Sequence, residues 1–274
     1  MENNLDFSSP IIMGILNVTP DSFSDGGAYP STKSAVDRAL IMIEQGAKII
    51  DIGGESTKPG SERVPPIEQK RRIIDVISQL KKVIPSNILV SVDTTSSEVA
   101  QAAIDLGVEM INDVSGGTDD EKMMPLIAQN NLYYCIMHMQ GSPKTMQDNP
   151  TYENVVEEIK SFLMAQANKL TELGLEKNKI ILDPGIGFGK TTNHNLEILN
   201  NLEIFSSLGF NTLLGASRKR LFSEISKENN PEDRISGTCA TSALGVVAGI
   251  NIFRVHDVWQ NKQAIDVAFN IKKA

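Results

Sequence analysis

Asp93, Asn112 and Asp183 each stand directly after a short apolar run, at 88–92, 110–111 and 180–182. A carboxylate or amide at the end of a buried strand is costly unless something there binds it. Any one of them alone could cap the helix that follows. Together they suit the ring N–H groups and exocyclic amine of a pterin or a purine. A second set is cationic. Ser217, Arg218 and Lys219 follow the run 212–214, and Arg254 and His256 span the end of the run 252–255. One alternation apart, Arg254 and His256 point to the same side of a strand, and an arginine fork beside an imidazole suits phosphate. The plainer alternative is a surface salt bridge to Asp257 or a neighbour.

The turn Asp183-Pro184-Gly185-Ile186-Gly187-Phe188-Gly189-Lys190-Thr191 invites two nucleotide readings, and both fail. Pro184 stands where a phosphate-binding Walker loop needs glycine, and the three glycines alternate singly instead of running G-x-G-x-x-G. What remains is a strand-to-helix turn whose glycines permit close approach to a flat ligand. His138, His194 and His256 lack metal-ligand spacing, so zinc is unsupported. His138, between Met137 and Met139, reads as a structural hydrogen-bonder. No nucleophile elbow or Ser-His-Asp pattern points to covalent catalysis.

The elements that must position these residues alternate regularly. Apolar runs at 11–16, 49–52, 88–92, 110–111, 133–137, 180–182, 212–214 and 252–255 are each followed by a helical pattern. Examples are the helix from about Lys33, with Val36, Ala39, Leu40 and Ile43 on one face, and the helix burying Ile73, Ile77 and Leu80. Thr95-Ser96-Ser97-Glu98 reads as a capping box opening the third helix. Eight strand–helix units predict a single α/β domain over residues 1–274, a closed (β/α)8 or TIM barrel whose active face gathers the carboxyl ends of the strands. In such barrels the loops after strands seven and eight commonly hold phosphate. The segments 17–32 and 53–66 are far longer than ordinary βα loops and suit lids over a ligand.

Bulk properties narrow the partners. The chain has 274 residues, 41% of them hydrophobic, and a net charge of −8. That balance disfavours nucleic acid, so an anionic substrate must be held by a local cationic cluster. Cys135 and Cys239 read as reduced thiols. With no secretory signal at 1–10 and no apolar run of membrane-spanning length, a cytoplasmic protein with no membrane partner is expected.

These residues, taken in order, resemble the dihydropteroate synthase family. The segments 14–27, 51–60, 91–94, 111–115, 183–190, 217–219 and 254–257 are similar to its motifs, and the match extends over essentially the whole chain. The family condenses 6-hydroxymethyl-7,8-dihydropterin diphosphate with p-aminobenzoate, releasing pyrophosphate. The resemblance implies that Asp93, Asn112, Asp183 and Lys219 hold the pterin, with Met137 and Phe188 against it. It implies that Asn17, Arg254 and His256 hold the diphosphate, with Mg²⁺ bridging Asn17 to phosphate oxygens. Phe23, Thr57, Pro59, Phe188 and Ser217 would form the p-aminobenzoate site. Asp93, Lys219, Arg254 and His256 would carry the catalysis, and a homodimer through the C-terminal helices is expected. Lys58 and Ile186 depart from the usual family pattern, where arginine and phenylalanine are common. Two rivals are a methyltransferase that passes a methyl group from a pterin to a cobalamin protein, and a silent paralogue that only binds a pterin. The Arg254–His256 pair and the two long loops speak against the first, which has no diphosphate to hold, and the complete motif set against the second.

Overall fold

The computed structural model describes residues 5–19, 31–56, 58, 60–227 and 230–274. Its eight strands close into one parallel barrel in sequence order. They are β1 Ile11–Asn17, β2 Ile49–Gly53, β3 Leu89–Asp93, β4 Met110–Asp113, β5 Tyr133–Met137, β6 Ile180–Asp183, β7 Asn211–Leu214 and β8 Ile252–Val255. The helices on the outside are α1 Thr32–Glu44, α2 Pro66–Val83, α3 Ser97–Ile104, α4 Met123–Gln129, α5 Val155–Glu172 and α6 Thr192–Asn200. They continue with α7 Leu202–Ser206, α8 Arg220–Ser226, α9 Ile235–Val247 and α10 Val258–Lys273. The barrel expected from the alternation is therefore present. β1, β2, β3 and β6 reach one residue further toward the mouth than their apolar runs and β4 two, so that Asn17, Gly53, Asp93, Asn112 and Asp183 are themselves strand residues.

Strand parity sorts the side chains into two layers. Ile12, Ile50, Ile52, Val90, Val92, Ile111, Tyr134, Ile136, Leu182, Leu214 and Phe253 face the helices and join the large outer core. The alternate positions Met13, Ile49, Leu89, Met110, Tyr133, Cys135, Ile181, Leu213 and Ile252 fill the barrel floor, and Leu5 and Phe7 pack beneath them. Burial on both faces explains why these strands read as continuous apolar runs. Further up, the same inward parity turns polar: Asn17, Asp51, Ser91, Asp93, Asn112, Asp183 and Arg254. Each strand thus carries floor and site on one face, and rigid floor packing holds the site residues in place.

Helix starts follow local chemistry where it is available. Ser31 accepts from the Ser34 amide at 3.1 Å, and Asn154 from the Glu157 amide at 3.1 Å. Thr191 and His194 form a reciprocal capping box, which gives His194 a structural role. The box expected at 95–98 does not form, because α3 begins at Ser97 with no side-chain cap from Ser96. The Ser97 amide instead donates to Asp120 of the next βα turn at 2.8 Å. That cap is tertiary, so spacing within the segment could not reveal it. Among the described residues no helix is long and apolar enough to cross a membrane.

Candidate active site

Sheet register places Asn17, Gly53, Asp93 and Asn112 side by side on β1 to β4, with Met137 beside Asp183 on β5 and β6. Two of the predicted walls meet at Arg254. Its Nε donates to Asp51 Oδ2 at 2.7 Å and its Nη2 to Asp93 Oδ2 at 2.7 Å. Asn112 Nδ2 also donates to Asp51 Oδ2, at 3.2 Å. The salt bridge to Asp257 considered from sequence belongs to Arg218, which grips Asp257 through Nε at 2.9 Å and Nη2 at 2.6 Å. That pair clasps the turn after β7 to the turn after β8.

Asp51 is fully buried and was missing from the candidate residues, because a search of strand ends passes over a carboxylate in mid-strand. The signal was nonetheless present: an aspartate within Ile49-Ile50-Asp51-Ile52 faces the barrel and cannot stay charged there alone. Among the described residues its Oδ1 has no hydrogen-bond partner, nor does Ser91 Oγ at the register-paired position on β3.

Burial shapes the charges. It pushes the Asp93 carboxyl up to about 7 against the downward pull of Arg254, with Asp51 and Glu55 adding to the rise. It raises Asp183 to about 6, opposed by the Gly185 amide and by Lys219. Burial and Arg254 bring Lys219 down to about 8, opposed by Asp183 and Asp93. The Lys219 ammonium lies 3.8 Å from the centre of the Phe188 ring. Asp183, Lys219 and Phe188 therefore share one wall, and Met137, Val114, Met146 and Phe188 form its apolar part.

The glycine turn has a different cause from the one expected. At Gly185, φ is +70° and an added Cβ would collide with the His138 carbonyl oxygen; at Gly189, φ is +62° and it would collide with the Gln140 carbonyl oxygen. Those two glycines admit the neighbouring turn after β5, not a ligand. Only Gly187 faces the site side, where a Cβ would meet Lys219 Cδ at 3.1 Å.

Behind this turn lies a buried cation that the motif contained but the site assignment passed over. Lys190 Nζ lies 3.1 Å from His138 Nδ1 and donates to the carbonyls of His138 at 3.2 Å and Phe188 at 2.9 Å. Burial and then Lys190 bring His138 down to about 3, and burial brings Lys190 down to about 7. His138 is thus the structural hydrogen-bonder expected. Asn112 is backed by its neighbour Asp113, which accepts from Ser115 N at 2.8 Å and from Tyr134 Oη at 2.6 Å.

Loop 54–65 is tied across the mouth. Arg63 Nη1 donates to Thr95 Oγ1 at 3.1 Å and its other arm pairs with Asp119. Glu55 accepts from Gln69 Nε2 at 2.9 Å, and the Gly60 amide donates to the Pro143 carbonyl at 2.9 Å. Phe23, Thr57 and Pro59, assigned to p-aminobenzoate, lie outside the described residues. Ser217, assigned with them, has its hydroxyl against the backbone N–H and ring of His256.

The Asn17 carboxamide makes no hydrogen bond among the described residues, and its Oδ1 lies 3.5 Å from where a Gly53 Cβ would be. No cluster of three or more His, Cys, Asp or Glu side chains able to hold a metal occurs among the described residues. A single amide oxygen suits a magnesium ion, which keeps most of its waters and takes few protein ligands.

Comparison with known proteins is consistent throughout. The family model of pterin binding enzymes matches residues 13–256. A dihydropteroate synthase of Synechocystis sp. is 42% identical over 94% of this chain and 88% of its own length. The dihydropteroate synthase of Xanthomonas albilineans with 4-aminobenzoic acid superposes with a TM-score of 0.92 at 38% identity, covering 98% of this chain and 96% of that one. The same enzyme in complex with 7,8-dihydropteroate gives 0.88 at 36% identity over 98% and 96%.

Proposed function

The chain belongs to the dihydropteroate synthases among the pterin-binding enzymes, and we propose that Arg254 is the hinge between its pterin wall and its diphosphate wall. The reaction is the family's: p-aminobenzoate displaces pyrophosphate from 6-hydroxymethyl-7,8-dihydropterin diphosphate. The observation carrying our division of roles is the bridge from Arg254 to two buried carboxylates. A guanidinium has five N–H donors; two are committed to Asp51 and Asp93, leaving the rest for phosphate oxygens.

On this reading Asp93, Asn112 and Asp183 accept from or donate to the pterin edge, Lys219 completes that wall, and Met137 and Phe188 flank the ring. Arg254, His256 and Asn17 receive the diphosphate. Asn17 would hold Mg²⁺, which when bound compensates phosphate charge and improves the leaving group. The bond from the methylene carbon to the diphosphate oxygen breaks with its electron pair leaving on pyrophosphate. The amine of p-aminobenzoate forms the new C–N bond and gives up one proton, which the departing pyrophosphate takes up. Asp93, charged above about pH 7, faces the positive charge that develops on the pterin methylene. Arg254 pulls that carboxyl toward its ionised form, against burial, while its free N–H groups bind the departing anion. Loop 54–65, with Thr57 and Pro59, and the loop bearing Phe23 would hold the arylamine in line and exclude water.

Two coarser features go with this reading. Exposed Leu244 and Val247 on α9 and Trp259, Val267 and Ile271 on α10 support a homodimer through these helices. The free thiols Cys135 and Cys239 accord with a reducing, cytoplasmic setting.

The test is a pair of titrations. His256→Ala should lose affinity for inorganic pyrophosphate and keep it for 6-hydroxymethyl-7,8-dihydropterin, while Asp183→Asn should do the reverse. Equal losses for both ligands in both variants would refute the division.

A further inference from the structure

We propose that Ser217 is a positioning residue whose hydroxyl fixes the His256 imidazole in the tautomer that carries its proton on Nε2, presenting that N–H to the diphosphate. The inference rests on His256 as a diphosphate ligand, and it moves Ser217 out of the p-aminobenzoate site.

The geometry is local. The buried Ser217 Oγ accepts from the His256 backbone N–H at 3.1 Å and lies 3.0 Å from His256 Nδ1. A backbone N–H can only donate, so it occupies one lone pair of the hydroxyl oxygen. The hydroxyl has one proton, and a buried hydroxyl proton finds an acceptor. Among the described residues Oγ has only these two partners, and of the two only Nδ1 can accept. The hydroxyl proton therefore goes to Nδ1, and the ring proton is left on Nε2. Among the described residues Nε2 makes no hydrogen bond, so its N–H is free for a ligand.

The ring is uncharged near neutral pH, and only an uncharged ring has a tautomer to fix. Burial, Arg254, Arg218 and Lys219 all disfavour the imidazolium and bring it down to about 3, with Asp257 opposing. The backbone of His256 is fixed at both ends, since Arg38 Nη2 donates to its carbonyl at 3.2 Å. Ser217 is held in turn by its neighbour. Arg218, in the left-handed region at φ +56°, donates its amide to Thr238 Oγ1 at 3.0 Å and grips Asp257. A donor fixed before the anion arrives costs no reorganisation when it binds. That is the second-sphere logic by which a partner on one ring nitrogen sets what the other can do.

The experiment follows the imidazole nitrogens of His256 by ¹⁵N NMR in the full chain, assigned by difference with His256→Ala, alongside pyrophosphate titration and p-aminobenzoate kinetics. The wild type should show protonated Nε2 and unprotonated Nδ1. Ser217→Ala should bring the two nitrogen shifts toward each other and weaken pyrophosphate binding about 3- to 10-fold, the worth of one neutral hydrogen bond. The KM for p-aminobenzoate should stay unchanged, and Ser217→Thr should restore both shifts and affinity. A proton on Nδ1 in the wild type, or unchanged shifts in Ser217→Ala, overturns the proposal. A raised p-aminobenzoate KM with intact pyrophosphate binding would return Ser217 to the arylamine site. If the tautomer is as stated but His256→Ala binds pyrophosphate normally, it is the diphosphate reading of His256 that fails.

Discussion

Replacing Arg254 with methionine keeps the stem of the side chain and removes the charge that joins Asp51 to Asp93. Both contacts are 2.7 Å and both carboxylates are buried. Removing one partner of a buried ion pair costs roughly 3–5 kcal/mol, because the other charge is left without compensation. Part of that cost is recovered by proton uptake. Asp93 already lies near about 7 in the wild type, above its ordinary 3.8. A carboxyl raised in the folded state binds protons more tightly than in the unfolded chain. Its contribution to stability is therefore lost as pH rises from the unfolded value through about 7. Without Arg254 that window extends to higher pH, so the deficit of the variant opens above pH 7 and narrows below it. Near pH 8 the loss should be about 2–4 kcal/mol after protonation is allowed for, or roughly 4–16 °C in Tm at about 2–4 °C per kcal/mol for a chain of this size. Thermal unfolding of Arg254→Met and wild type near pH 6 and pH 8 measures both quantities. A loss that is the same at the two pH values, or below about 1 kcal/mol at the higher one, refutes the bridge as the holder of these charges.

Three further outcomes are expected. Binding of 6-hydroxymethyl-7,8-dihydropterin, which lacks the titrating diphosphate, should peak between about pH 6 and 8. It weakens toward the lower end as Asp93 and then Asp183 are protonated and above as Lys219 loses its charge; a flat calorimetric profile over that range contradicts this wall. Lys190→Met strands two carbonyls and an imidazole nitrogen, and should cost about 2–4 kcal/mol by denaturant unfolding. It should also raise the His138 pKa in NMR titration, since Lys190 is one cause of its depression. Arg63→Ala breaks a pair with Asp119 in which both partners are more than a third exposed and a longer one, 3.9 Å, to the buried Glu55, and should cost no more than about 1 kcal/mol of global stability. It should nonetheless speed amide hydrogen exchange at Gly60 and Val64, whose N–H groups are bonded to Pro143 and Glu55, because Arg63 ties that loop to Thr95 and Asp119.

The barrel was readable because each strand is buried on both faces and so stands out as an apolar run between helical periods. Asp93, Asn112 and Asp183 were readable for the related reason that a polar residue ends each run. Asp51 and Ser91 were passed over because they interrupt their runs instead of ending them, although inward parity marks both as facing the barrel. Lys190 was visible only as a motif letter; its three acceptors come from two different turns, which no local spacing joins. The same limit applies to Asp120 capping α3 and to Arg218 holding Asp257. The glycine turn shows the reverse case, in which a correct local observation had the wrong neighbour: backbone of the turn after β5 occupies the space that was expected for a ligand.

The most direct test of the account is pyrophosphate release by the purified full chain with Mg²⁺, omitting each substrate in turn. Release should require both the pterin diphosphate and p-aminobenzoate, and should match dihydropteroate formed mole for mole. Pyrophosphate release that is independent of p-aminobenzoate, or pterin binding with no product when both are present, would contradict it.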